Sequence, residues 1–214
     1  PGAALTIAGD RAAGRARRSL GRWAHGPGSF KVDWILSEPI PWADPDSRRA
    51  GTVHVGGTLE EIVASERAMA SGRVAAHPFV LVAQPSLVDP LRAGAGGHVA
   101  WGYCHVPAGS DHDMTEAIEA QIERFAPGFR DVVAARHTID PAGLERRNPN
   151  YVGGDIGGGA ITMRQVLARP RWGLNPYRIG ADVYLCSSAT PPGAGVHGMC
   201  GYHAAHAAMR GPDR

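Results

Sequence analysis

The stretch "GAGVHG" at 193–198 has the spacing G-x-G-x-x-G, in which glycines let backbone amides approach a phosphate at a helix start. Upstream, "VYLCSS" (183–188) reads as a buried strand; downstream, "MCGYHAAHAAMR" (199–210) reads as a helix. Strand, glycine turn and helix form the context that gives the motif its meaning. A dinucleotide pyrophosphate also needs a following parallel strand, with an acidic residue about 20 residues on to hold the ribose. Only 16 residues follow Gly198. A nicotinamide-dependent dehydrogenase built on this loop is therefore not expected. The helix N-terminus still offers free N–H groups and a positive dipole end to an electron-rich ligand.

Other chemistry-bearing residues have plainer readings. His197, Cys200, His203 and His206 recur every third residue and invite a zinc assignment. At ~100° per residue each step of three drifts by ~60°, so His197 and His206 end on opposite sides of a helix. No metal site is expected. "GGDIGGGA" (153–160) could cradle an anion or be a loop squeezed between domains, and Asp155, its one ionisable group, reads more simply as a turn aspartate than a catalytic one. His54, His105 and His137 lie in strand-like stretches, where histidines are usually core or edge residues. Trp34, Trp42, Trp101, Tyr103 and Trp172 could line an apolar pocket or serve as core. No G-x-S-x-G elbow or Walker loop occurs, which removes support for hydrolase and NTPase chemistry. No catalytic residue can be assigned.

The elements that must position these residues follow from periodicity. Strands are expected at 30–36, 51–57, 79–84, 98–106 and 131–139. Thr58 and Glu61 form a capping box for a helix over 58–71, with Leu59, Ile62, Val63 and Met69 on one face. Asp113 caps a second helix over 113–126, marked by Ala117, Ile118, Gln121, Ile122 and Phe125. "DPLRAGAGG" (89–97) is the expected turn between two strands. From 51 to 139 the order is strand, helix, strand, strand, helix, strand, a split βαβ arrangement with both helices on one face. A short helix is expected near 161–168.

Composition narrows the class. Hydrophobic residues at 43% and charged residues at 20% describe an ordinary globular chain. The net charge of +2 implies no nucleic-acid or anionic-membrane partner, and the arginines of "RAAGRARRSLGR" (11–22) read as a solvated helix face. Three irregularly spaced cysteines argue against a disulfide framework and for a reducing, cytoplasmic setting. No apolar run approaches the ~18 residues of a membrane span, so membrane association is not indicated. The chain opens "PGAALTIAGD", without an initiator Met or signal peptide, and is expected to be cut from something longer.

"VYLCSSATPPGAGVHGMCGYHAA" resembles the C-terminal flavin-contacting segment of the phytoene desaturase-like FAD oxidoreductases, within the superfamily that includes the amine oxidases. "NPNYVGGDIGGGAITMRQVLARP" resembles the segment preceding it. "FKVDWIL", "AGTVHVGGTLEEI", "PFVLVAQPSL" and "EAIEAQIERFAPGFRD" resemble substrate-domain landmarks. The resemblance implies an FAD cofactor whose ring lies at the start of the last helix. It assigns contacts to the backbone of Gly195, Val196 and His197, with Gly193 and Gly198 clearing space. Ser187 and Ser188 stand where relatives place a Gly followed by an acidic or small residue near the ribityl chain, which implies a hydroxyl contact here. It also implies that the pyrophosphate-binding half lies upstream and is missing.

The expected architecture is α+β: a mixed sheet with helices on one face, plus the terminal strand–helix of a Rossmann-like FAD domain. The expected divisions are 1–26 (linker and helix), 27–150 (substrate domain) and 151–214 (cavity loop and FAD-contacting end). The implied activity is hydride transfer between a lipophilic, polyene-like substrate and flavin. The alternative is a substrate-binding module unable to hold FAD.

Overall fold

The computed structural model describes residues 1–94 and 97–211. The turn expected at 89–97 is therefore described except for residues 95 and 96, which lie outside the described residues. The helices are α1 (Gly2–Ala8), α2 (Gly14–Leu20), α3 (Leu59–Ala70), α4 (Pro85–Val88), α5 (Thr115–Glu123), α6 (Pro141–Arg147), α7 (Met163–Leu167) and α8 (Met199–Arg210). The strands are β1 (Gly28–Leu36), β2 (Thr52–Val55), β3 (Val80–Ala83), β4 (His98–Val106) and β5 (Val133–Ile139). The chain divides into two compact units, one of Pro27–Arg146 and one of Pro1–Gly26 with Arg147–Arg214.

The Pro27–Arg146 unit has the expected α+β class. Its five strands form one sheet in the order β2-β3-β4-β1-β5, and every ladder is antiparallel. The sheet is thus antiparallel throughout, where a mixed one was expected; β4 and β5, both opposing β1, run parallel to each other on either side of it. β4–α5–β5 is thus a split βαβ unit with β1 inserted. The first half departs from that arrangement, because β2 and β3 pair directly. The return from α3 is held beside β2, where Ser65 Oγ accepts from the Phe79 N–H (3.0 Å) and the Phe79 ring stacks on His54 (5.6 Å).

Alternation explains the sheet's two faces. Phe30, Val32, Trp34 and Leu36 of β1 and Ala100, Cys104 and Val106 of β4 are buried. Ile118 and Ile122 of α5 are fully buried in the same cluster, and Phe129 meets the Trp34 ring edge-to-face at 5.5 Å. Glycine is required at position 102: a Cβ there would lie 2.9 Å from the Leu81 carbonyl and 3.2 Å from the Trp34 ring. Asp113 accepts from the Thr115 hydroxyl (2.5 Å) and N–H (2.8 Å) at the start of α5, and these bonds hold its carboxyl below the usual carboxylate range.

The capping box on α3 is complete, with Thr58 Oγ1 accepting from the Glu61 N–H (3.3 Å) and Glu61 Oε2 from the Thr58 N–H (2.8 Å). Its expected apolar face forms only in part. Leu59 is 70% exposed, Ile62, Val63 and Met69 are half-buried, and only Ser65 is buried. Polar contacts fix this helix instead: Glu61 pairs with Arg124 at 2.9 Å, and Glu66 lies 3.3 Å from His105 Nδ1.

Burial also separates the thiols. Cys104 lies in the core, which pushes its thiol up to about 12, whereas Cys186 is exposed. In native protein at pH 8 one thiol, Cys186, is expected to react rapidly with Ellman's reagent, the others only on unfolding. Fast reaction of two or more thiols contradicts this. Because the folded pKa of Cys104 lies above its unfolded value, its contribution to stability is complete below about pH 9 and declines as pH rises toward 12.

The other unit has a small core of Ala8, Ala12, Ala16, Leu20 and Ile179. The arginines at 11–22 are exposed, as a solvated face requires, and Arg11 pairs with Asp182 at 2.6 Å. The short helix expected near 161–168 and the helix over 199–210 are both present. The strand expected at 183–188 is not. That segment makes one isolated bridge, Tyr184 to Arg178, with the Leu185 N–H donating to the Tyr177 carbonyl at 2.8 Å. A strand needs a ladder along its length, and among the described residues only this short return is offered.

Candidate functional site

The glycine loop before α8 is conformationally committed. Gly193, Gly195 and Gly198 have φ of 106°, 151° and 66°, and Gly198 is the residue from which α8 starts. Gly193 is buried, its N–H donating to the Thr190 carbonyl (2.8 Å). Gly195, Val196, His197 and Gly198 are exposed, so this edge of the loop is open to a ligand. His197 has a part the sequence did not reveal: its Nδ1 accepts from the Met199 N–H at 3.0 Å, so the imidazole caps α8. One donor of the helix start is thus already engaged.

Ser187 and Ser188 are half-buried and committed internally. Ser187 Oγ accepts from the Ala189 N–H (3.2 Å), and its carbonyl accepts from the Thr190 N–H and hydroxyl. Ser188 packs on Gly158, where a Cβ would meet its Oγ at 2.0 Å, and its carbonyl accepts from Arg169 (3.3 Å).

Behind the loop lies a knot of residues that sequence reading largely missed. Asp155 is 2% exposed and accepts from the N–H groups of Gly26 (2.7 Å), Gly157 (2.8 Å) and Gly158 (3.0 Å). Asp155 is thus the turn aspartate expected. Gln165 accepts from the Ala24 N–H and donates to the Ala24 and Ala160 carbonyls. The Arg169 guanidinium lies over the Trp23 ring at 5.7 Å and beside Gly193.

Cys200, His203 and His206 diverge. The Cys200 thiol points at the carbonyls of Thr190 and Gly193, His203 stacks on Tyr177, and the His206 ring lies 4.3 Å from that of Tyr202. Among the described residues, no group of three or more His, Cys, Asp or Glu could hold a metal ion. No helix among them is long and apolar enough to cross a membrane.

The second candidate surface is the sheet face opposite α5. It carries Lys31, Asp33 and Ile35 of β1, Val99, Trp101, Tyr103 and His105 of β4, and Ala135 and His137 of β5. Ile35 is 56% exposed. Trp101 and Tyr103 stack at 6.4 Å. A groove of about 350 Å³ runs along this face between Ile35, Trp101 and His137. Of the histidines and tryptophans singled out above, Trp34 and Trp42 are core, Trp101 and His137 line this groove, and Trp172 is 78% exposed.

No protein-family model matches the chain. It is similar to pyridine nucleotide-disulfide oxidoreductase domain-containing protein 2 of Mus musculus, 34% identical over an alignment of 148 residues that covers 62% of this chain and 25% of that protein. It is also similar to the Rattus norvegicus protein of the same name, 33% identical over 147 residues, 63% of this chain and 25% of that protein. The chain therefore spans about a quarter of the length of the curated relatives it matches. The similarity extends to proteins of that name and carries nothing about a polyene substrate.

Proposed function

We propose that this chain is part of a flavin-dependent oxidoreductase in which the loop at 193–198 meets the flavin ring and the open sheet face forms a wall for a lipophilic substrate. The observation that carries the proposal is the exposed glycine loop at the start of α8, with its amide edge unobstructed at Val196. The residues fit the group: positive-φ glycines give close backbone approach, and a helix N-terminus favours negative charge. FAD, when bound, would supply hydride exchange at its ring. The chain's own part is to orient that ring, shield it from water and stabilise charge at its edge.

A partly buried helix end is worth up to ~2 kcal/mol for an anion. For a two-electron couple that is on the order of 40 mV. Ser187 and Ser188 shape the approach through their backbone bonds and are assigned to the neighbourhood of the ribityl chain. The remaining FAD contacts, including those to the pyrophosphate, are proposed to come from further polypeptide, a missing FAD-binding half. A cytoplasmic setting belongs to the same proposal, supported by three unpaired cysteines.

Expressed alone, this chain is expected to be colourless, because a ring contact without pyrophosphate contacts binds weakly. Supplied with its FAD-binding half, Gly195→Pro is expected to abolish flavin binding: proline cannot adopt φ near 151° and it removes a donor. His197→Ala removes the cap on Met199 at a cost of about 1 kcal/mol, and is expected to retain flavin with a modest shift in potential. Equal flavin content and turnover in both variants and the parent would show that this loop is only a packing turn.

A further inference from the structure

We propose that the open face of β1, β4 and β5 takes a lipophilic molecule whose head is an uncharged hydroxyl, read by the Lys31–Asp33 ion pair beside Trp101. This rests on the reading of that face as a substrate wall, and narrows it away from a pure hydrocarbon such as a polyene.

Lys31, Asp33 and Ile35 alternate along β1, all on the uncovered face. Asp33 stands opposite Trp101 on one side and His137 on the other, so indole, carboxylate and imidazole form one row across three strands. Lys31 Nζ pairs with Asp33 Oδ1 and lies 5.5 Å from the Trp101 ring centroid. The two side chains are 27% and 43% exposed, so the pair is partly withdrawn from water, and its Asp33 member lines the groove. Ile35, Val99 and Ala135 supply the apolar floor.

The other titratable groups on this face are His137, opposite Asp33, and Tyr103, opposite Lys31; His105 is engaged by Glu66, and His54 stacks on Phe79.

The ion pair selects the head by its neutrality. An ammonium head would compete for Asp33 and leave Lys31 unpaired; a carboxylate head would compete for Lys31 and leave Asp33 unpaired. Either leaves a half-buried charge without its partner, which opposes binding. A hydroxyl both donates and accepts. It can donate to the free Asp33 oxygen and accept from a second Lys31 proton while the pair stays closed. Trp101 and Ile35 then cover the chain next to the head.

The test titrates the full chain with 1-decanol below its solubility limit, and with decanoate and decylammonium below their micelle-forming concentrations, and follows backbone amide and Trp101 indole NMR signals. Decanol is expected to bind about tenfold more tightly than either ion, with shifts confined to residues 31–35, 99–103 and 135–137. Lys31→Met is expected to turn the preference to decylammonium, and Asp33→Asn to decanoate. Equal binding of all three probes, or an unchanged ranking in the variants, overturns the head-group inference and leaves the lipophilic wall standing. Failure of every probe to shift this face overturns the wall itself.

Discussion

Asp155→Ala is expected to destabilise the unit that contains Asp155 by at least about 3 kcal/mol, and Asp155→Asn by clearly less. The carboxylate is 2% exposed and is the acceptor for three backbone donors from two distant segments, Gly26 on one side and Gly157 and Gly158 on the other. Alanine leaves those three amides without an acceptor, where water enters poorly. The damage extends further along the loop: Gly158 packs on Ser188, and a Cβ on Gly159 would lie 2.3 Å from Trp23. Asparagine keeps one acceptor oxygen and part of the bonding. Urea unfolding followed by tryptophan fluorescence measures the loss, and an unchanged midpoint for Asp155→Ala refutes the clamp.

The second large effect is expected at Glu119. This carboxylate is 4% exposed on α5 and accepts from Trp34 Nε1 (3.0 Å) and from Arg136 Nε (2.8 Å) and Nη2 (3.2 Å). Glu119→Ala leaves the buried indole N–H without a partner and releases the guanidinium. Breaking a fully buried pair costs about 3–5 kcal/mol. The Arg136 side chain is 46% exposed and can return to water, which brings the expectation to about 2–3 kcal/mol. Glu119→Gln retains an acceptor for Trp34 and is expected to lose roughly half as much. Thermal melts of the two variants decide: equal losses would remove the indole bond as the larger contribution.

The parts of the fold legible in the sequence are those whose signal is local. Thr58 and Glu61 announce a helix start by spacing alone, and the box forms as read. The alternation from Phe30 to Leu36 fixes which β1 side chains are buried. It cannot fix the neighbours of β1, because β4 and β5 come much later and pairing is a non-local choice. The direct pairing of β2 with β3 is a non-local choice of the same kind.

"VYLCSS" shows the limit of apolar runs: none of its six residues is buried, and extension needs a partner strand. At the candidate loop, the glycines could be read because each has a steric reason. The cap by His197 could not, since Ser, Thr, Asn and Asp usually fill that role. Gln165 and Arg169 left no spacing signal, and Gln165 finds its partner 141 residues away.

The segment Pro27–Arg146 interrupts a unit built from Pro1–Gly26 and Arg147–Arg214. That interruption sets a timetable for folding. Joining residues 26 and 147 in an unfolded chain carries a loop-closure cost of about 4 kcal/mol. Once β1 and β5 have paired, with Lys31 opposite Ile139, most of that closure has already been made. As the chain leaves the ribosome, α1 and α2 emerge well before Ile179, the residue that completes their core. They wait, exposed to chaperones and proteases, until the inserted sheet has closed. A lesion in the sheet therefore slows the assembly of helices it does not belong to.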